Sequence, residues 1–250
     1  MDNYKDFIKE INTKEKQDVK RDYVQQVFTK IAPVYDLMNT LMSFGLHYRW
    51  RKFSGELTNL KNGGYALDMC TGTGDFAIEL AKIVGKEGKV KACDFCEAMV
   101  EEGREKIKNT EMANVIEFCI GNIENIPFPD NEFDAITVSC GVRNSTDILK
   151  SFKEMTRVVK HGGRVVCLDL GHPEIPVFRE IYNFYFFKFV PCLGKIILGE
   201  KDPYNYLPHS LITFPTQKEL KKIMEEAGLR NVKYYNLLGG AMAVHVGEKE

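Results

Sequence analysis

The sequence predicts an α/β fold of the Rossmann-like type, in which seven strands form a mostly parallel sheet and the last strand is antiparallel. Short apolar runs alternate with helical patterns through the middle of the chain, an order typical of parallel sheets. The first run ends in an acid and a glycine turn within residues 66–76. Two final strands, at residues 231–238 and 241–246, are joined by paired glycines and predict an antiparallel hairpin.

Length and composition are those of an ordinary globular protein. The chain has 250 residues, of which 44% are hydrophobic, and 34 basic residues nearly balance 35 acidic ones. Because the charges are spread along the chain, we expect no nucleic-acid partner. The first residues lack the apolar core of a signal peptide, and no run of about 18 apolar residues could span a membrane. We therefore expect a cytoplasmic protein.

The chain contains seven cysteines, mostly inside apolar runs. An odd count without a secretory leader favours reduced, buried thiols. Cys93 and Cys96 form a Cys-x-x-Cys pair, but no second pair lies at zinc spacing. We therefore expect no metal site.

The chain is expected to form one domain, residues 18–250, after a polar stretch, residues 1–17, that has little to bury. A helical pattern begins at Asp18, and Pro33 ends it. The residues after Pro33 are dense in Tyr, Asn, His, Trp and Arg. We interpret residues 18–56 as a helical cover over a pocket at the sheet.

The stretch from Ala66 to Phe76 predicts a strand, a tight loop and a helix. Gly72 and Gly74 allow the sharp turn, and the first amides of the helix offer donors to a nucleotide-like ligand. Cys70 stands where the first glycine of a dinucleotide fingerprint would fall, which disfavours a pyrophosphate. Asp68 at the strand tip suits a cation instead. A tight turn that binds no ligand is the alternative.

Polar residues at the ends of the next strands extend the predicted site. Asp94 comes after the second strand, residues 89–93, where it can bind both hydroxyls of a ribose. A helix N-cap is the alternative role for this acid. The third strand, residues 115–120, precedes Asn122, which is placed to bind an adenine edge. The fourth strand, residues 133–139, must end at the same edge.

A helix at residues 148–159, a turn at residues 161–163 and a fifth strand at residues 164–170 continue the alternation, which residues 174–214 interrupt. Aromatic side chains fall on one face of a predicted helix there: Phe178, Tyr182, Tyr185, Phe186 and Phe189. Pro191 is expected to end that helix, and the rest of the insertion is expected to be broken at Gly194, Gly199, Pro203 and Pro208. We interpret this insertion as a substrate-side wall or a membrane contact, with core packing as the alternative.

Four stretches together resemble the UbiE/MenG family of S-adenosylmethionine-dependent methyltransferases. They are residues 28–50, 67–75, 141–144 and 206–210, and the likeness runs in order from about residue 20 to residue 248. The family methylates a ring carbon of prenylated quinols in ubiquinone and menaquinone biosynthesis. The resemblance therefore implies a class I methyltransferase fold, S-adenosyl-L-methionine as cofactor and a prenylated quinol, foremost demethylmenaquinol, as substrate.

The resemblance also implies which residues contact the cofactor. Thr71, Asp94, Asn122, Ile123 and Ser139 fall on the cofactor positions of the family, and Asp68, Gly72 and Gly74 complete the predicted set. Asn122 stands where many relatives carry Asp, so hydrogen bonding to the adenine is retained without a charge.

The chemistry of ring methylation requires a group near the quinol oxygen. A carbon beside a phenol becomes nucleophilic only as the phenol loses its proton, so positioning and proton transfer supply the rate. We predict Arg143 and Asn144 as catalytic residues, because a guanidinium stabilises a phenolate and can orient a water that takes the proton. The secondary candidates for contact with the substrate are Tyr35, His172, Tyr185 and His209.

Two other functions stay open from the sequence alone. A nicotinamide oxidoreductase would share the glycine loop, but the Tyr-x-x-x-Lys spacing of its short-chain form occurs only upstream, at residues 48–52. A catalytically silent cofactor-binding subunit would act as a scaffold for quinone synthesis. The sequence also does not decide between a naphthoquinol and a benzoquinol substrate. The length of the prenyl tail and the presence of a homo-oligomer are likewise undecided. Because the substrate partitions into lipid, we expect peripheral contact with the inner face of the membrane.

Overall fold

The protein forms one mixed sheet with helices, as seen in a computed structural model that describes residues 14–198 and 202–250. The strands are β1 (Tyr65–Met69), β2 (Lys89–Asp94), β3 (Ile116–Ile120), β4 (Phe133–Ser139), β5 (Val159–Leu170), β6 (Arg230–Leu237) and β7 (Met242–Glu248). They form a seven-stranded sheet in the order β3-β2-β1-β4-β5-β7-β6. All neighbours from β3 to β5 pair in parallel, whereas β7 runs antiparallel to both β5 and β6.

Helices connect these strands and precede the first of them. They are α1 (Lys14–Ile31), α2 (Tyr35–Ser43), α3 (Leu46–Leu57), α4 (Asp75–Val84), α5 (Glu97–Ile107), α6 (Ile148–Val158), α7 (Pro176–Phe184), α8 (Val190–Leu198), α9 (Asp202–Ile212) and α10 (Gln217–Glu226). Within the described residues, no helix is both long and apolar enough to cross a bilayer.

The central strand β1 is buried on both faces. Leu67 and Met69 pack in one core cluster while Ala66 packs in another, as expected for side chains that alternate across a sheet. Burial on both faces explains why the parallel strands are continuous apolar runs in the sequence. The carboxyl ends of β1, β2 and β4 consequently meet at one edge, where the predicted cofactor residues lie.

Two predicted boundaries are wrong. Helix α1 begins at Lys14, four residues before the predicted start at Asp18, while residues 1–13 of the predicted polar segment lie outside the described residues. The turn predicted at residues 161–163 belongs to β5, which begins at Val159. The amide of Gly162 donates to the carbonyl of Lys249, and the amide of Lys249 donates back to Gly163, so these residues pair with the chain after β7 where β5 bulges between Val159 and Arg164.

The insertion is more helical than predicted. A five-residue π-helical segment, Tyr185–Phe189, joins α7 to α8, and Pro191 lies in the first turn of α8 rather than at the end of a helix. Pro203 likewise lies in the first turn of α9, whereas Gly194 and Pro208 lie inside α8 and α9. Gly199 lies outside the described residues.

The π-helical segment also changes which aromatic residues are buried. Its wider turn places Tyr182, Phe186 and Val190 on the inner face, so that Phe189, predicted to share that face, is 47% exposed. The predicted aromatic face is therefore correct for Phe186 and wrong for Phe189.

The prediction that all cysteines are reduced thiols is wrong for one pair. Cys93 and Cys119 lie opposite each other on the parallel strands β2 and β3 and are joined by a disulfide. The other five cysteines are free. Sequence spacing could not suggest this pair, because the two residues are 26 positions apart and meet only through the register of the sheet.

Candidate active site

The glycine loop between β1 and α4 is held by the acid that ends β2. The Gly72 amide donates to Asp94 Oδ2 over 2.8 Å, and the Cys96 amide donates to Asp94 Oδ1 over 3.0 Å. Burial raises the pKa of Asp94, while these backbone donors oppose the rise. The side chain of Asp94 does not cap α5, whose N-cap is Cys96.

Gly74 is required by packing as well as by conformation. Its φ is +84°, and a Cβ built there would lie 2.6 Å from Cζ of Phe118. Gly141, after β4, is equally constrained, because its Cβ would lie 2.2 Å from Cβ of Cys70. The loops after β1 and β4 therefore pack so closely that a side chain at Gly141 would clash with Cys70. Both Cys70 and Cys140 adopt positive φ in these loops.

The acid of β1 is buried behind the loop. Asp68 accepts hydrogen bonds of 2.6 Å from the hydroxyls of Thr71 and Thr137. Burial raises the pKa of Asp68 to about 6, although both hydroxyl donors favour the carboxylate. In this structure Asp68 and Thr71 thus shape the loop from beneath.

Two cavities flank the loop after β4. The smaller, of about 130 Å³, is lined by Phe95, Asn122, Ile123, Gly141 and Asn144 among others. The larger, of about 310 Å³, is lined by Ser139, Cys140 and Arg143 together with side chains of α1 to α3 and of the insertion. Of the predicted cofactor and catalytic residues, Asn122, Ile123 and Asn144 line the small cavity and Ser139 and Arg143 line the large one. The others line neither cavity: Asp68, Thr71, Gly72, Gly74 and Asp94.

Arg143 forms a buried ion pair at the border of the large cavity. Its Nη1 donates over 2.6 Å both to Asp169 Oδ1 and to the carbonyl of Cys140. Burial disfavours the charged guanidinium, but the Asp169 carboxylate, Cys140 and Tyr35 together raise the pKa of Arg143. Arg143 Nε and Asp169 Oδ2 have no hydrogen-bond partner among the described residues.

Asn144 links the loop after β4 to helix α9. Its side-chain amide donates to the carbonyl of Cys140 over 3.3 Å, and its Oδ1 accepts from the Tyr206 hydroxyl over 3.0 Å. Arg143 and Asn144 therefore share the Cys140 carbonyl, which fixes the loop between the cavities.

The N-terminal helices reach over the glycine loop. A Cβ at Gly72 would lie 3.4 Å from the ring of Tyr35, and burial raises the pKa of this tyrosine to about 12. Asp36 accepts from Thr73 over 2.5 Å and from Lys106 over 2.6 Å. The start of α2 is thus tied to the loop and to α5.

Helix α3 adds a second connection to the loop. Arg51 donates to Asp75 over 2.9 Å, and Asp75 also pairs with Lys106. His47 Nδ1 lies 2.6 Å from the Ser43 hydroxyl, which itself donates to the carbonyl of Asn39. Burial and then Arg51 lower the pKa of His47 to about 4, so the imidazole is neutral at physiological pH.

Of the remaining substrate candidates, Tyr185 lies at the large cavity and His172 makes its contact elsewhere. Tyr185 lines the large cavity, and its hydroxyl donates to the carbonyl of Met42 over 2.7 Å, which connects the insertion to α2. His172 instead packs against the end of α9, with Nε2 2.9 Å from the carbonyl of Phe214. His209 lies in α9, but its side chain is outside the described residues.

Sequence patterns alone assigned no role in the site to Asp169, His47 or Arg51. Asp169 could have been found from the sequence, because it is an acid near the end of the fifth strand, and the acids at the ends of β1 and β2 were both predicted to belong to the site. His47 and Arg51 are four residues apart on one helix face. Their contact with Asp75 depends on how α3 packs, which no local pattern encodes.

Comparison with known proteins identifies the family. The model of the ubiE/COQ5 methyltransferase family matches residues 16–249. The chain belongs to this family. It is 44% identical over 230 residues to a ubiquinone/menaquinone biosynthesis C-methyltransferase UbiE of Francisella philomiragia, covering 92% of each chain. It is also 44% identical to the demethylmenaquinone methyltransferase of Bacillus subtilis, covering 93% of this chain and all of that one.

Solved structures agree with the fold. A SAM-dependent methyltransferase from Aquifex aeolicus superposes with a TM-score of 0.57 at 25% identity, covering 77% of this chain and 86% of that one. A SAM-dependent methyltransferase from Thermotoga maritima is 19% identical and superposes with a TM-score of 0.66, covering 91% of this chain and 100% of that one. The predictions of the family, of the class I fold and of an S-adenosylmethionine-dependent C-methyltransferase of the ubiE/COQ5 type are therefore confirmed.

Proposed function

We propose that the protein transfers the methyl group of S-adenosylmethionine to a ring carbon of a prenylated quinol, with demethylmenaquinol as the substrate. The observation that carries the proposal is the large cavity. Its volume of about 310 Å³ lies beside Ser139 and Arg143 and is walled mainly by apolar and aromatic side chains. The relative in Bacillus subtilis, named a demethylmenaquinone methyltransferase, supports the choice of a naphthoquinol.

The residues around the small cavity fit the cofactor. Phe95 and Ile123 offer apolar walls to a flat base, and Asn122 offers an amide for hydrogen bonds at its edge. Asp94 lies at the end of β2, the position where α/β folds bind a ribose. When bound, S-adenosylmethionine supplies an electrophilic methyl group that needs no further activation.

The chain itself positions the quinol and handles its proton. The charge of Arg143, raised in pKa by Asp169, favours a phenolate at the border of the cavity. Arg143 cannot accept a proton at physiological pH. Its role is therefore to stabilise the quinol oxyanion and to orient the water molecule that accepts the proton. Asn144 holds the loop that presents it.

The N-terminal helices and the insertion are proposed to act as the cover and the substrate wall. Both parts line the same cavity. The N-terminal helices contribute Tyr35, Met42 and His47, and the insertion contributes Tyr182 and Phe186. Residues 18–56 and 174–214 would then exclude water from the reaction.

We expect methyl-labelled S-adenosylmethionine to transfer its label to demethylmenaquinol in detergent, and a demethylated benzoquinol to accept less. Measuring labelled product with both quinols under reducing conditions tests this. Transfer to the benzoquinol alone would replace the proposed substrate. Cofactor binding without transfer to either quinol would favour the scaffold subunit instead.

We further propose that the mouth of the large cavity meets a lipid surface. Three residues at this mouth are apolar yet exposed, namely Phe44, Ile181 and Leu238, with Phe44 79% exposed. Val177, Ile181 and Phe184 recur on the outer face of α7. The exposed Arg179, Lys188 and Lys195 add positive charge that suits anionic headgroups.

We expect the protein to sediment with vesicles containing phosphatidylglycerol, and high salt to weaken this association. Changing Val177 and Phe184 together to serine should lower the partition coefficient by about tenfold, because two apolar side chains no longer enter the interface. Ile120→Ser, at an exposed apolar site on β3, is the matched control and should bind as the parent does. Absence of binding, with normal activity on detergent-dispersed quinol, would leave the insertion a pocket wall only.

A further inference from the structure

Several residues that line the large cavity carry buried polar atoms that make no hydrogen bond within the described part of the chain. Among the described residues, few buried side-chain polar atoms lack a hydrogen bond, and four of them belong to residues that line this cavity. They are Asn39 Nδ2, His47 Nε2, Arg143 Nε and Tyr182 Oη. Buried polar groups are nearly always paired in folded proteins, so such a concentration indicates a ligand that supplies the missing partners.

Tyr182 is the clearest of the four, because its hydroxyl is the only polar atom of its side chain. The residue is 9% exposed on the inner face of α7, where its ring stacks on Phe186 at a centroid distance of 5.3 Å. Packing therefore fixes the ring, while the hydroxyl makes no hydrogen bond within the described part of the chain.

The positive charge of Arg143 near the Tyr182 hydroxyl favours binding of a phenolic oxygen. Burial raises the pKa of Tyr182, and Arg143 opposes that rise through its positive charge. The phenol consequently remains a protonated donor at neutral pH, and Tyr182 and Arg143 line the same cavity.

From these observations we propose that the Tyr182 hydroxyl donates a hydrogen bond to the quinol oxygen whose charge develops during methyl transfer, beside the guanidinium of Arg143. The proposal rests on the proposed function and adds a catalytic residue to it. The proton of Tyr182 stays on its oxygen throughout. As the quinol O–H bond breaks, its proton passes to a water molecule in the cavity, the quinol oxygen keeps the electron pair, and the two donors hold the resulting charge.

This role predicts opposite effects on stability and on activity. In Tyr182→Phe an unpaired buried hydroxyl is removed, so the midpoint of thermal unfolding of the ligand-free protein should rise by about 2–4 °C. The kcat on demethylmenaquinol should fall by about 10- to 100-fold, because a donor to the developing charge is lost. Affinity for S-adenosylmethionine, measured by calorimetry, should stay within about twofold of the parent.

Tyr185→Phe is the matched control, since Tyr185 lies one turn away and its hydroxyl is paired with the Met42 carbonyl. Losing that bond should lower the unfolding midpoint, the reverse of the shift expected at residue 182. A Tyr182→Phe variant that unfolds earlier than the parent, or that keeps the parent's kcat, overturns the proposal. If the parent methylates quinols and the variant equals it, only this role fails; a parent inactive on every quinol removes the proposed function as well.

Discussion

Replacing Arg143 with alanine is expected to lower kcat at least about 100-fold while the affinity for S-adenosylmethionine changes little. The reason is that Arg143 borders the large cavity and supplies the positive charge there, whereas the small cavity is lined by other residues. Stopped assays with demethylmenaquinol and calorimetry with the cofactor measure the two effects separately. Lysine at this position should not restore the parent rate, because a flexible ammonium does not reproduce the fixed directions of the guanidinium donors, of which Nη1 binds both Asp169 and Cys140.

The same change should also destabilise the fold, and the two effects can be separated. Removing one partner of a buried ion pair costs about 3–5 kcal/mol, since the carboxylate of Asp169 would be left without its counter-charge. Replacing both partners, as Arg143→Met with Asp169→Leu, should recover most of that stability. We expect this double variant to be folded and inactive. A double variant with more than about a tenth of the parent kcat would contradict the catalytic role.

Replacing Asp94 with alanine is expected to weaken the binding of S-adenosylmethionine by about 10- to 100-fold without unfolding the protein. Two causes act together, because the ribose loses its acceptor and the amides of Gly72 and Cys96 lose the carboxylate that holds the loop. Calorimetry measures the affinity, and circular dichroism checks the fold.

Asp94→Asn is the matched variant for this experiment. Asparagine retains one acceptor oxygen, so its affinity should lie between those of the parent and the alanine variant. Unchanged affinity in a folded alanine variant would remove the assignment to the ribose. Tight binding of NAD by the parent would instead favour the oxidoreductase that the glycine loop left open.

The strands were predictable because the constraints on them are local. A parallel strand buried on both faces must be a short apolar run, and a polar residue must come where it ends. Phe133–Ser139 was located to the residue, and Asp94 was identified as the end of the second strand. The antiparallel end of the sheet was predictable from two alternating runs around a glycine pair.

The misses share a different cause, since each depends on a partner distant in sequence. The first residues of β5 are strand-like because Val159 pairs with Phe133 and because Gly162 and Gly163 pair with Lys249. Cys93 meets Cys119 through sheet register. The ion pair of Arg143 with Asp169 joins the ends of two neighbouring strands. No pattern within a single element encodes these contacts.

The position of β7 between β5 and β6 has a consequence for the order in which the chain can fold. In the described sheet β6 pairs only with β7, so it has no place there while the ribosome is still translating residues 242–248. Until then the edge of β5 presents free amides and carbonyls, the kind of edge that recruits other chains. Because this last pairing joins segments far apart in sequence, we expect completion of the sheet to be the slow step of folding and the one most exposed to aggregation during synthesis.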